Sequence, residues 1–554
     1  MLGASMVLLL TLAQAAVPTL PSPPGGQSST GANSAGTGVI KGRVTAADTG
    51  RPLRRARITL SGNTLTTGRS TSTNIRGEYE LEGVPAGRYQ IRVQRSGYLP
   101  MQYGQRQPQE PAKPFELTNG QVIEKLDFAL PRAGIIAGRV IDETGEAVSG
   151  VQVWPLRQEF FRGRRRMVPA ASQATTDDIG HYRLLNLPPG EYVLMAVLRE
   201  TWHAGPERQP FGYAPTFFPG TARAADAIRV KVGVGQEVPN TDFALVAERA
   251  ATISGVVMGP DGAPLAGARI SLTFEVVGPG SAMMMSAGSA TAGADGSWRM
   301  KDVAPGEYQL EVSTREPGRP GARASTSVRL QGSDIEGVTL VADHGGTITG
   351  QVVSETGEAL PTTLSRMRVM ADSIDPDRRP FGVLANDDNG VVDTDGRFTL
   401  TGVIGPSAIR VSALPRAWAI KSIEGGQGDL AETPIHLRGG QTLDVRIVLT
   451  NRFPTVTGRI TDDRGNPVEG TALLYPSDAE RWYDTSVLRS ARPDQSGTFR
   501  LETVRPGDYL AIALDYIESS QANDPEFLES LRSRATRVSV LEGQPQTLTL
   551  RVVR

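Results

Sequence analysis

The stretch Asn74-Ile-Arg-Gly-Glu-Tyr-Glu-Leu-Glu-Gly-Val-Pro-Ala-Gly-Arg-Tyr-Gln-Ile-Arg-Val93 decides the fold of this chain. A polar turn ends at Gly77, and apolar residues then alternate with polar ones up to the turn Pro85-Ala-Gly87. The alternation resumes after that turn and continues to Val93. A period of two on both sides of a Pro-Gly turn predicts a β-hairpin with one buried face.

The same hairpin design returns four times along the chain. The copies read DDIGHYRLLNLPPGEYVLMAV (177–197), GADGSWRMKDVAPGEYQLEV (293–312), DTDGRFTLTGVIGPSAIRV (393–411) and DQSGTFRLETVRPGDYLAI (494–512). The fourth copy departs from the others, and its alignment places Ile409 where they carry Tyr. Five copies of one hairpin predict five copies of one domain.

A strand with an internal glycine opens each copy, as in Val39-Ile-Lys-Gly-Arg-Val44. The five glycines of these opening strands are 95 to 117 residues apart and are Gly42, Gly138, Gly255, Gly350 and Gly458. Glycine inside a strand marks a bulge or a close approach of another backbone. Their regular recurrence predicts a packing role.

About seven short strands in each repeat, separated by turn residues, predict an all-β chain of five tandem antiparallel β-sandwiches, Ig-like or prealbumin-like. We expect modules one to five at residues 38–131, 132–249, 250–345, 346–452 and 453–554. The linkers are only a few residues long, which favours a semi-rigid rod. One short helix is predicted in module five, capped by Asp524, with Phe527, Leu528, Leu531 and Ala535 forming its apolar stripe.

The composition excludes several classes of protein. The 554 residues carry 58 basic and 59 acidic side chains, so no bulk field draws the chain to nucleic acid. The absence of cysteine rules out disulfides, thiolate chemistry, Cys-ligated metal and a lipid-modified cysteine.

The N-terminus predicts export. Residues 1–16 contain the apolar run Met6-Val-Leu-Leu-Leu-Thr-Leu12 and the small-x-small pattern Ala13-Gln-Ala15, as a signal peptide does, although no Lys or Arg precedes the run. Residues 17–37 are rich in Pro, Gly and Ser and predict a disordered linker. No later segment is long and apolar enough to span a bilayer. We therefore expect an exported protein in the periplasm, at the cell surface or outside the cell.

The repeated pattern G-x-V-x-d-x-x-G-x-P-l, followed by d-x-x-G-x-y-x-l-x-x-v-p-p-G-x-Y-x-l, resembles the carboxypeptidase regulatory-like domain of bacteria. That family belongs to the transthyretin-like (prealbumin-like) sandwiches, alongside the carbohydrate-binding-like fold. The resemblance covers residues 38–554 and implies a sandwich fold. It says little about function, because such modules accompany many kinds of protein.

Segments outside the repeated frame are the places where a specific function is expected. Two Pro- and Gly-flanked loops, at 97–105 and 211–220, carry aromatic residues that could stack on sugar rings or grip a partner, or could fold back to cap the sandwich end. The candidate ligand-binding residues in these loops are Tyr98, Tyr103, Phe211, Tyr213, Phe217 and Phe218. Trp202 and His203 lie nearby in sequence and share both interpretations.

Two charged segments suggest other kinds of binding site. The basic segment 160–167 could touch polyanions, or it could be a solvated loop with a phenylalanine under it. The acidic segment 387–396 fails the EF-hand pattern, because Ala385 would take position one and Gly396 the closing position. We predict no metal site and no cofactor.

Catalysis is not expected either. The four histidines show no H-E-x-x-H spacing, and there is no G-x-S-x-G elbow and no phosphate-cradling loop. The sequence thus predicts a non-enzymatic exported scaffold or binding protein whose partner is an envelope protein or a polysaccharide. The alternatives are a carbohydrate-binding protein that uses the aromatic loops of modules one and two, and an accessory partner of an outer-membrane receptor. The sequence leaves the oligomeric state open.

Overall fold

The structure is a computed structural model, and it describes residues 36–553 apart from 63, 66–67, 162–163, 206–208, 279–280, 315–320, 361, 375–388, 416–417, 427, 432, 483–486 and 519–520. The predicted signal peptide and all but the end of the predicted linker therefore lie outside the described residues. No helix in the described part of the chain is long and apolar enough to cross a membrane.

Module one contains nine strands around one apolar core, whose members include Ile40, Tyr89 and Phe128. The strands are β1 (Gly38–Ala46), β2 (Arg57–Gly62), β3 (Arg69–Ser72), β4 (Glu78–Val84), β5 (Gly87–Gln94), β6 (Met101–Gln102), β7 (Phe115–Leu117), β8 (Val122–Ile123) and β9 (Phe128–Leu130). The hairpin predicted from residues 74–93 is β4 and β5. The two strands pair with different partners, so the turn between them carries the chain from one sheet of the sandwich to the other.

Module two repeats this plan and adds a small third sheet made of β16, β17 and β22. Its elements are β10 (Gly134–Ile141), β11 (Gln152–Phe161), β12 (Arg164–Pro169), β13 (Ala174–Thr175), β14 (His181–Leu187), β15 (Gly190–Val197), β16 (Thr201–Ala204), β17 (Gln209–Tyr213), β18 (Thr216–Phe217), the 3₁₀ turn η1 (Ala224–Asp226), β19 (Arg229–Val232), β20 (Glu237–Val238), β21 (Phe243–Ala244) and β22 (Ala247–Arg249).

Modules three and four have fewer strands around cores of their own. Module three consists of β23 (Ala251–Met258), β24 (Arg269–Gly278), β25 (Ser281–Thr291), β26 (Ser297–Val303), β27 (Gly306–Ser313), β28 (Arg323–Leu330) and β29 (Ile335–Val341). Module four consists of β30 (Gly346–Ser354), η2 (Thr362–Arg366), β31 (Arg368–Ser373), β32 (Arg397–Val403), β33 (Gly405–Ser412), β34 (Ala419–Gly425), β35 (Gly428–Asp429), β36 (Ile435–Leu437) and β37 (Thr442–Thr450).

Module five carries the predicted helix, which covers one face of the last sandwich. Its elements are β38 (Val456–Thr461), β39 (Thr471–Pro476), η3 (Ala479–Arg481), β40 (Arg489–Ala491), β41 (Thr498–Leu501), β42 (Gly507–Leu514), η4 (Gln521–Asn523), α1 (Pro525–Leu531), η5 (Arg532–Arg534), β43 (Thr536–Val540) and β44 (Gln546–Val553). Leu528 and Leu531 of α1 are buried in a second apolar cluster with Tyr475 and Trp482. The predicted helix and its packing are confirmed.

All five modules repeat one basic plan of strand pairing, which confirms the all-β tandem sandwich class. In each, the opening strand pairs antiparallel with the first hairpin strand and in parallel with the closing segment, as β30 does with β32 and β37. In modules one to four the second hairpin strand joins the other sheet, as β33 does with β31 and β36. In module five β42 also pairs in parallel with the end of β44, so the strands form one seven-stranded sheet. Most pairs are antiparallel, and the parallel pair unites the start and the end of each module.

The recurring glycines of the opening strands lie directly against the backbone of the closing segment. A Cβ atom at Gly42 would lie 2.1 Å from the Leu126 carbonyl oxygen, and one at Gly255 would lie 1.9 Å from that of Val338. Gly138, Gly350 and Gly458 face carbonyl oxygens at 2.2 Å in the same way. The predicted packing role is confirmed, because these contacts leave no room for a side chain.

A tyrosine of the hairpin closes the sandwich end in four modules. The hydroxyl of Tyr89 donates to the Pro85 carbonyl at 2.6 Å, and that of Tyr308 donates to the Ala304 carbonyl at 2.8 Å. Tyr192 and Tyr509 make the same bond to the carbonyl four residues before them. Each tyrosine is almost fully buried.

The alignment that placed Ile409 at this tyrosine position is wrong. In module one Gly87 pairs with Leu117 and Tyr89 with Phe115, whereas in module four Gly405 pairs with Leu437 and Ser407 with Ile435. Ser407 therefore occupies the tyrosine position. The hairpin turn of module four is one residue shorter, and this deletion shifted the alignment.

Candidate functional site

The aromatic residues predicted to bind a ligand in module one are used locally. Tyr98 packs against the module core, with the Arg132 guanidinium 5.5 Å from its ring centre. Tyr103 packs edge-on against Phe115, with ring centres 5.5 Å apart. Both tyrosines are half-buried. Their geometry is that of residues that cap the end of the sandwich.

Phe217 and Phe218 of module two are similarly half-buried. Phe217 pairs with Met195 at the edge of the six-stranded sheet. Phe218 packs edge-on against the buried Phe243, with 5.8 Å between ring centres. Phe218 thus belongs to the periphery of the module two core.

Phe211 and Tyr213 come together with Trp202 on the small third sheet of module two. Trp202 pairs across the strands with Phe211, and their rings stack with centres 6.2 Å apart. The Tyr213 ring is closer to Trp202, at 4.7 Å. We call these three residues the aromatic cluster. All three are half-buried, so part of each ring faces solvent.

Acidic side chains surround the Tyr213 end of the cluster. The Tyr213 hydroxyl is 3.4 Å from Glu143 Oε2. Burial, together with the negative charges of Glu143 and Asp142, raises the pKa of Tyr213 to about 12. The hydroxyl is therefore a neutral hydrogen-bonding group at physiological pH.

The aromatic cluster lies next to module three. A methyl group at Gly212, in the strand that carries Phe211 and Tyr213, would be 3.2 Å from the Ala304 Cβ. His203 Nε2 lies 3.8 Å from Asp302 Oδ2 across the same boundary. The cluster therefore belongs to the junction between two modules, where a ligand would meet both. Stacking on exposed ring faces is the chemistry that such an arrangement offers.

A second polar region, which was not predicted from the sequence, joins module five to module one. Arg492 is fully buried, and its Nη1 lies 3.2 Å from Oε2 of Glu110, which is also fully buried. Its Nη2 donates to Glu469 at 3.1 Å, and Nη1 also donates to the carbonyl of Gly104. Burial lowers the pKa of Arg492, while the carboxylates of Glu110 and Glu469 oppose that shift.

Further contacts extend this junction around Arg492. Arg106 Nη1 pairs with Asp515 at 3.1 Å, and Lys113 Nζ pairs with Glu469 at 2.7 Å. Arg88 pairs with Glu502 at 3.3 Å. The prediction of a semi-rigid rod is wrong, because module five contacts module one some 380 residues earlier in the chain.

The basic segment of module two also contacts module five. Residues 160–161 and 164–167 of this segment lie on the paired strands β11 and β12. Arg165 Nη2 lies 2.6 Å from Glu526 and 3.5 Å from Asp524, both at the N-terminal end of α1. Within the described residues, this arginine is thus neutralised by the chain itself.

The junction of modules one, two and five contains a crowded set of charges. Arg157 of module two donates to Gln109 of module one at 3.1 Å and to the Tyr192 hydroxyl at 2.9 Å. Burial raises the pKa of the neighbouring Glu159, and the Glu518 carboxylate of module five adds to that shift, while Arg157 opposes it. The polar residues gathered here hold modules together.

Neither region contains a metal-binding cluster within the described residues. In the described part of the chain, no three His, Asp or Glu side chains lie close enough to hold a metal ion. Asp387 and Asp388 of the acidic segment fall outside the described residues. Asp393 is used in a turn, where its carboxylate accepts from the backbone N–H groups of Asp395 and Arg397.

Comparison with known proteins agrees with the repeated topology. A sequence model of the carboxypeptidase regulatory-like domain matches residues 39–131, 135–204 and 252–342. The chain is therefore a tandem-domain protein of the all-β class. It carries the carboxypeptidase regulatory-like domain in three tandem regions. A search of curated proteins finds no match.

Solved structures with some similarity to the chain include two pilins and the TIE protein of Bacillus anthracis. A streptococcal ancillary pilin is 13% identical, with a TM-score of 0.21, over 55% of this chain and 98% of the pilin. The Bacillus anthracis TIE protein is 10% identical, with a TM-score of 0.16, over 76% of this chain and 74% of that protein. The minor pilin GBS52 of Streptococcus agalactiae is 12% identical, with a TM-score of 0.22, over 38% of this chain and 97% of the pilin.

Proposed function

We propose that this protein is a non-enzymatic exported scaffold that holds five sandwiches in a fixed arrangement and presents them to an envelope protein. The buried pair of Arg492 and Glu110 between modules five and one carries this proposal. A buried ion pair costs desolvation and does not by itself stabilise a protein strongly, but it specifies one docking geometry over others. Domains that moved independently of one another would not bury such a pair between them.

Contacts between consecutive modules support the same function. Arg199 of module two donates to the Tyr308 hydroxyl of module three at 2.6 Å. Lys421 of module four pairs with Glu542 of module five at 2.5 Å. Together with the closure of module five onto module one, these contacts limit the freedom of each domain to rotate against its neighbours. The predicted N-terminal signal supports a location in the periplasm, at the cell surface or outside the cell.

Partner capture with an opened variant tests the scaffold. Residues 17–554 would be immobilised as wild type, as Arg492→Met and as Arg551→Met, and exposed to solubilised cell envelope. Arg551 is the matched control, because it is exposed and pairs within module five with Asp463. We expect one envelope protein to be retained by wild type and Arg551→Met and lost from Arg492→Met. Retention by all three, or hydrolysis of peptide or glycoside substrates that a point mutation abolishes, would contradict the proposal.

A second candidate function is polysaccharide binding at the aromatic cluster. The partly exposed faces of Trp202, Phe211 and Tyr213 favour it, because aromatic rings grouped on one surface can stack on the apolar faces of sugars. A glycan array with wild type, Trp202→Ala and Tyr98→Ala separates this site from the other aromatic loop. We expect Trp202→Ala to lose binding at least tenfold and Tyr98→Ala to retain it. An array without saturable binding removes this candidate and leaves the scaffold untouched.

Receptor partnership is a further form of the scaffold function. An accessory role beside an outer-membrane receptor would make that receptor the retained envelope protein. The capture experiment identifies this case by the nature of the protein retained.

A further inference from the structure

A cleft of about 360 Å³ lies between modules three and four. On the module four side, Ser373, Ser407, Leu400 and Thr401 line it. On the module three side, residues 323–326, 339–341 and 343 contribute to its wall. The volume falls in the range of small-molecule sites, which are usually apolar pockets with a few well-placed polar groups.

The repeat itself explains why the cleft exists. Ser407 occupies the position at which the other four modules carry the buried tyrosine of the hairpin. Its cross-strand neighbour is Ser373, in the position of Gly62 beneath the Tyr89 ring. Module four thus has two small hydroxyl residues where a phenol ring is packed elsewhere. Ser407 is only 2% exposed, so the base of the cleft is deep in the module.

The hydrogen-bonding group that receives the tyrosine hydroxyl is present in module four. In the other modules that group is the carbonyl at the start of the hairpin turn, such as Ala304 for Tyr308. In module four the Ser407 Oγ reaches the corresponding carbonyl of Ile404 only at 3.5 Å, the limit of a hydrogen bond. This acceptor could take a stronger bond from a bound hydroxyl.

At the junction of modules two and three, an arginine of the preceding module contacts the tyrosine ring that module four lacks. At the boundary of modules two and three, Arg199 lies 5.1 Å from the centre of the Tyr308 ring and donates to its hydroxyl. At the boundary of modules three and four, Arg323 lines the cleft. Val341, which is 57% exposed, adds an apolar wall. The walls therefore combine the features that favour a flat, hydroxyl-bearing aromatic ring.

We propose that the cleft between modules three and four binds a phenol ring, supplied by a tyrosine side chain of a partner or by a free phenolic molecule. The bound ring replaces the tyrosine that module four lacks, and its hydroxyl donates to the Ile404 carbonyl. This proposal does not depend on the scaffold function, because none of the residues of the module one–module five junction takes part.

Binding of p-cresol, the side-chain analogue of tyrosine, tests the site. Calorimetric titration of residues 17–554 is expected to show saturable binding that is at least fivefold tighter than binding of toluene, which lacks the hydroxyl. Ser407→Tyr fills the cleft with the ring of the other modules, so we expect it to weaken p-cresol binding at least tenfold. Ser289→Tyr, at an exposed strand position of module three, is the matched control and should bind as wild type does.

A measurement on the wild-type protein tests the proposal even if the Ser407→Tyr variant does not fold. A photoreactive diazirine derivative of p-cresol should label peptides that contain residues 323–326 or 400–407. N-acetyltyrosine methylamide distinguishes the two sources of the ring: binding within tenfold of p-cresol indicates a tyrosine of a partner, and weaker binding indicates a free phenol. Absence of saturable p-cresol binding, binding unaffected by Ser407→Tyr, or labelling confined to other segments would overturn the proposal.

Discussion

Single glycines determine how closely the strands of each module approach one another. Gly255 in β23 faces the Val338 carbonyl, and a Cβ there would lie 1.9 Å from that oxygen. The backbone has to move before any side chain fits, because 1.9 Å is far inside van der Waals contact. The repeated glycine is thus a requirement of the parallel pair that joins the start and the end of each module.

The first prediction concerns this glycine. Gly255→Ala should destabilise module three by about 1–3 kcal/mol, the usual cost of overpacking a dense interior. Calorimetric melting of the full chain measures it as a lower transition temperature. Gly428→Ala is the control, because a Cβ there would meet nothing within 4 Å, and its transition should not move. Equal stability of the two variants would show that the close approach is not required.

Aspartates that stabilise single β-turns recur in modules two, three and five. Asp142, Asp295 and Asp462 accept hydrogen bonds from backbone N–H groups two residues later. Hydrogen bonds from the side chains of Thr144, Ser297 and Asn466, respectively, are the largest cause that lowers the pKa of each carboxyl. The charged form is therefore the one that the fold prefers.

A pH dependence follows from these lowered pKa values. A carboxyl whose pKa is lower in the folded state stabilises the protein above its unfolded pKa of about 4, and this stability is lost as the pH falls through the folded pKa. We expect the melting temperature to change little between pH 7 and 5 from this cause and to fall below about pH 4. A triple variant with Asn at all three positions should show a shallower fall, and an unchanged fall would assign it to other groups.

The N-terminus of helix α1 combines a helix cap with a contact between modules five and two. Asp524 caps its N-terminus, with Oδ1 accepting from the Glu526 N–H at 3.0 Å, and its other oxygen faces Arg165 of module two. The buried Leu528 and Leu531 attach the helix to module five. One residue thus serves both the helix and the neighbouring module.

Two substitutions separate these roles. Asp524→Ala should destabilise the helix by about 0.5–2 kcal/mol through loss of the cap. Asp524→Asn keeps a capping oxygen and removes only the charge that faces Arg165. Hydrogen exchange of the α1 amides should therefore rise in Asp524→Ala and stay near wild type in Asp524→Asn. An equal rise in hydrogen exchange in both variants would indicate that the charge, not the cap, orders the helix.

In the whole molecule, one buried charge pair lies among the contacts that close module five onto module one. Removing Arg492 leaves the buried Glu110 with Arg106, 3.0 Å away, as its remaining partner, so we expect a cost below the about 3–5 kcal/mol of a buried charge left without any partner. Arg492→Met should therefore open the junction and increase the radius of gyration in small-angle X-ray scattering. Arg551→Met should leave it unchanged. The double variant Arg492→Met and Glu110→Leu should recover the compact form, because two apolar residues carry no unpaired charge.

The scattering experiment has a clear contrary outcome. If Arg492→Met scatters as wild type does, the contacts of Arg106, Lys113 and Arg165 suffice to close the molecule. The buried pair would then not specify the arrangement of the modules.

The sequence by itself determined the sandwich class, the repeats, the role of the opening glycines and the helix of module five. These features follow from short-range patterns: alternation along a strand, a Pro-Gly turn, a glycine at a fixed position and a cap before an apolar stripe. The hairpin of residues 74–93 and the cap at Asp524 each carry their own signal within a few residues.

The positions of the modules and the grouping of the aromatic residues became known from the folded structure alone. Arg492 and Glu110 are 382 residues apart, and each looks like an ordinary charged residue in its own module until the two are buried together. Strand register places Trp202 beside Phe211 and Tyr213. Tyr103 and Phe218 instead pack against the buried Phe115 and Phe243. The one-residue deletion before Ser407 became visible only through pairing with Ile435. The physical reason is common to all these cases: side-chain alternation is local, whereas docking and register depend on contacts between segments far apart in the chain.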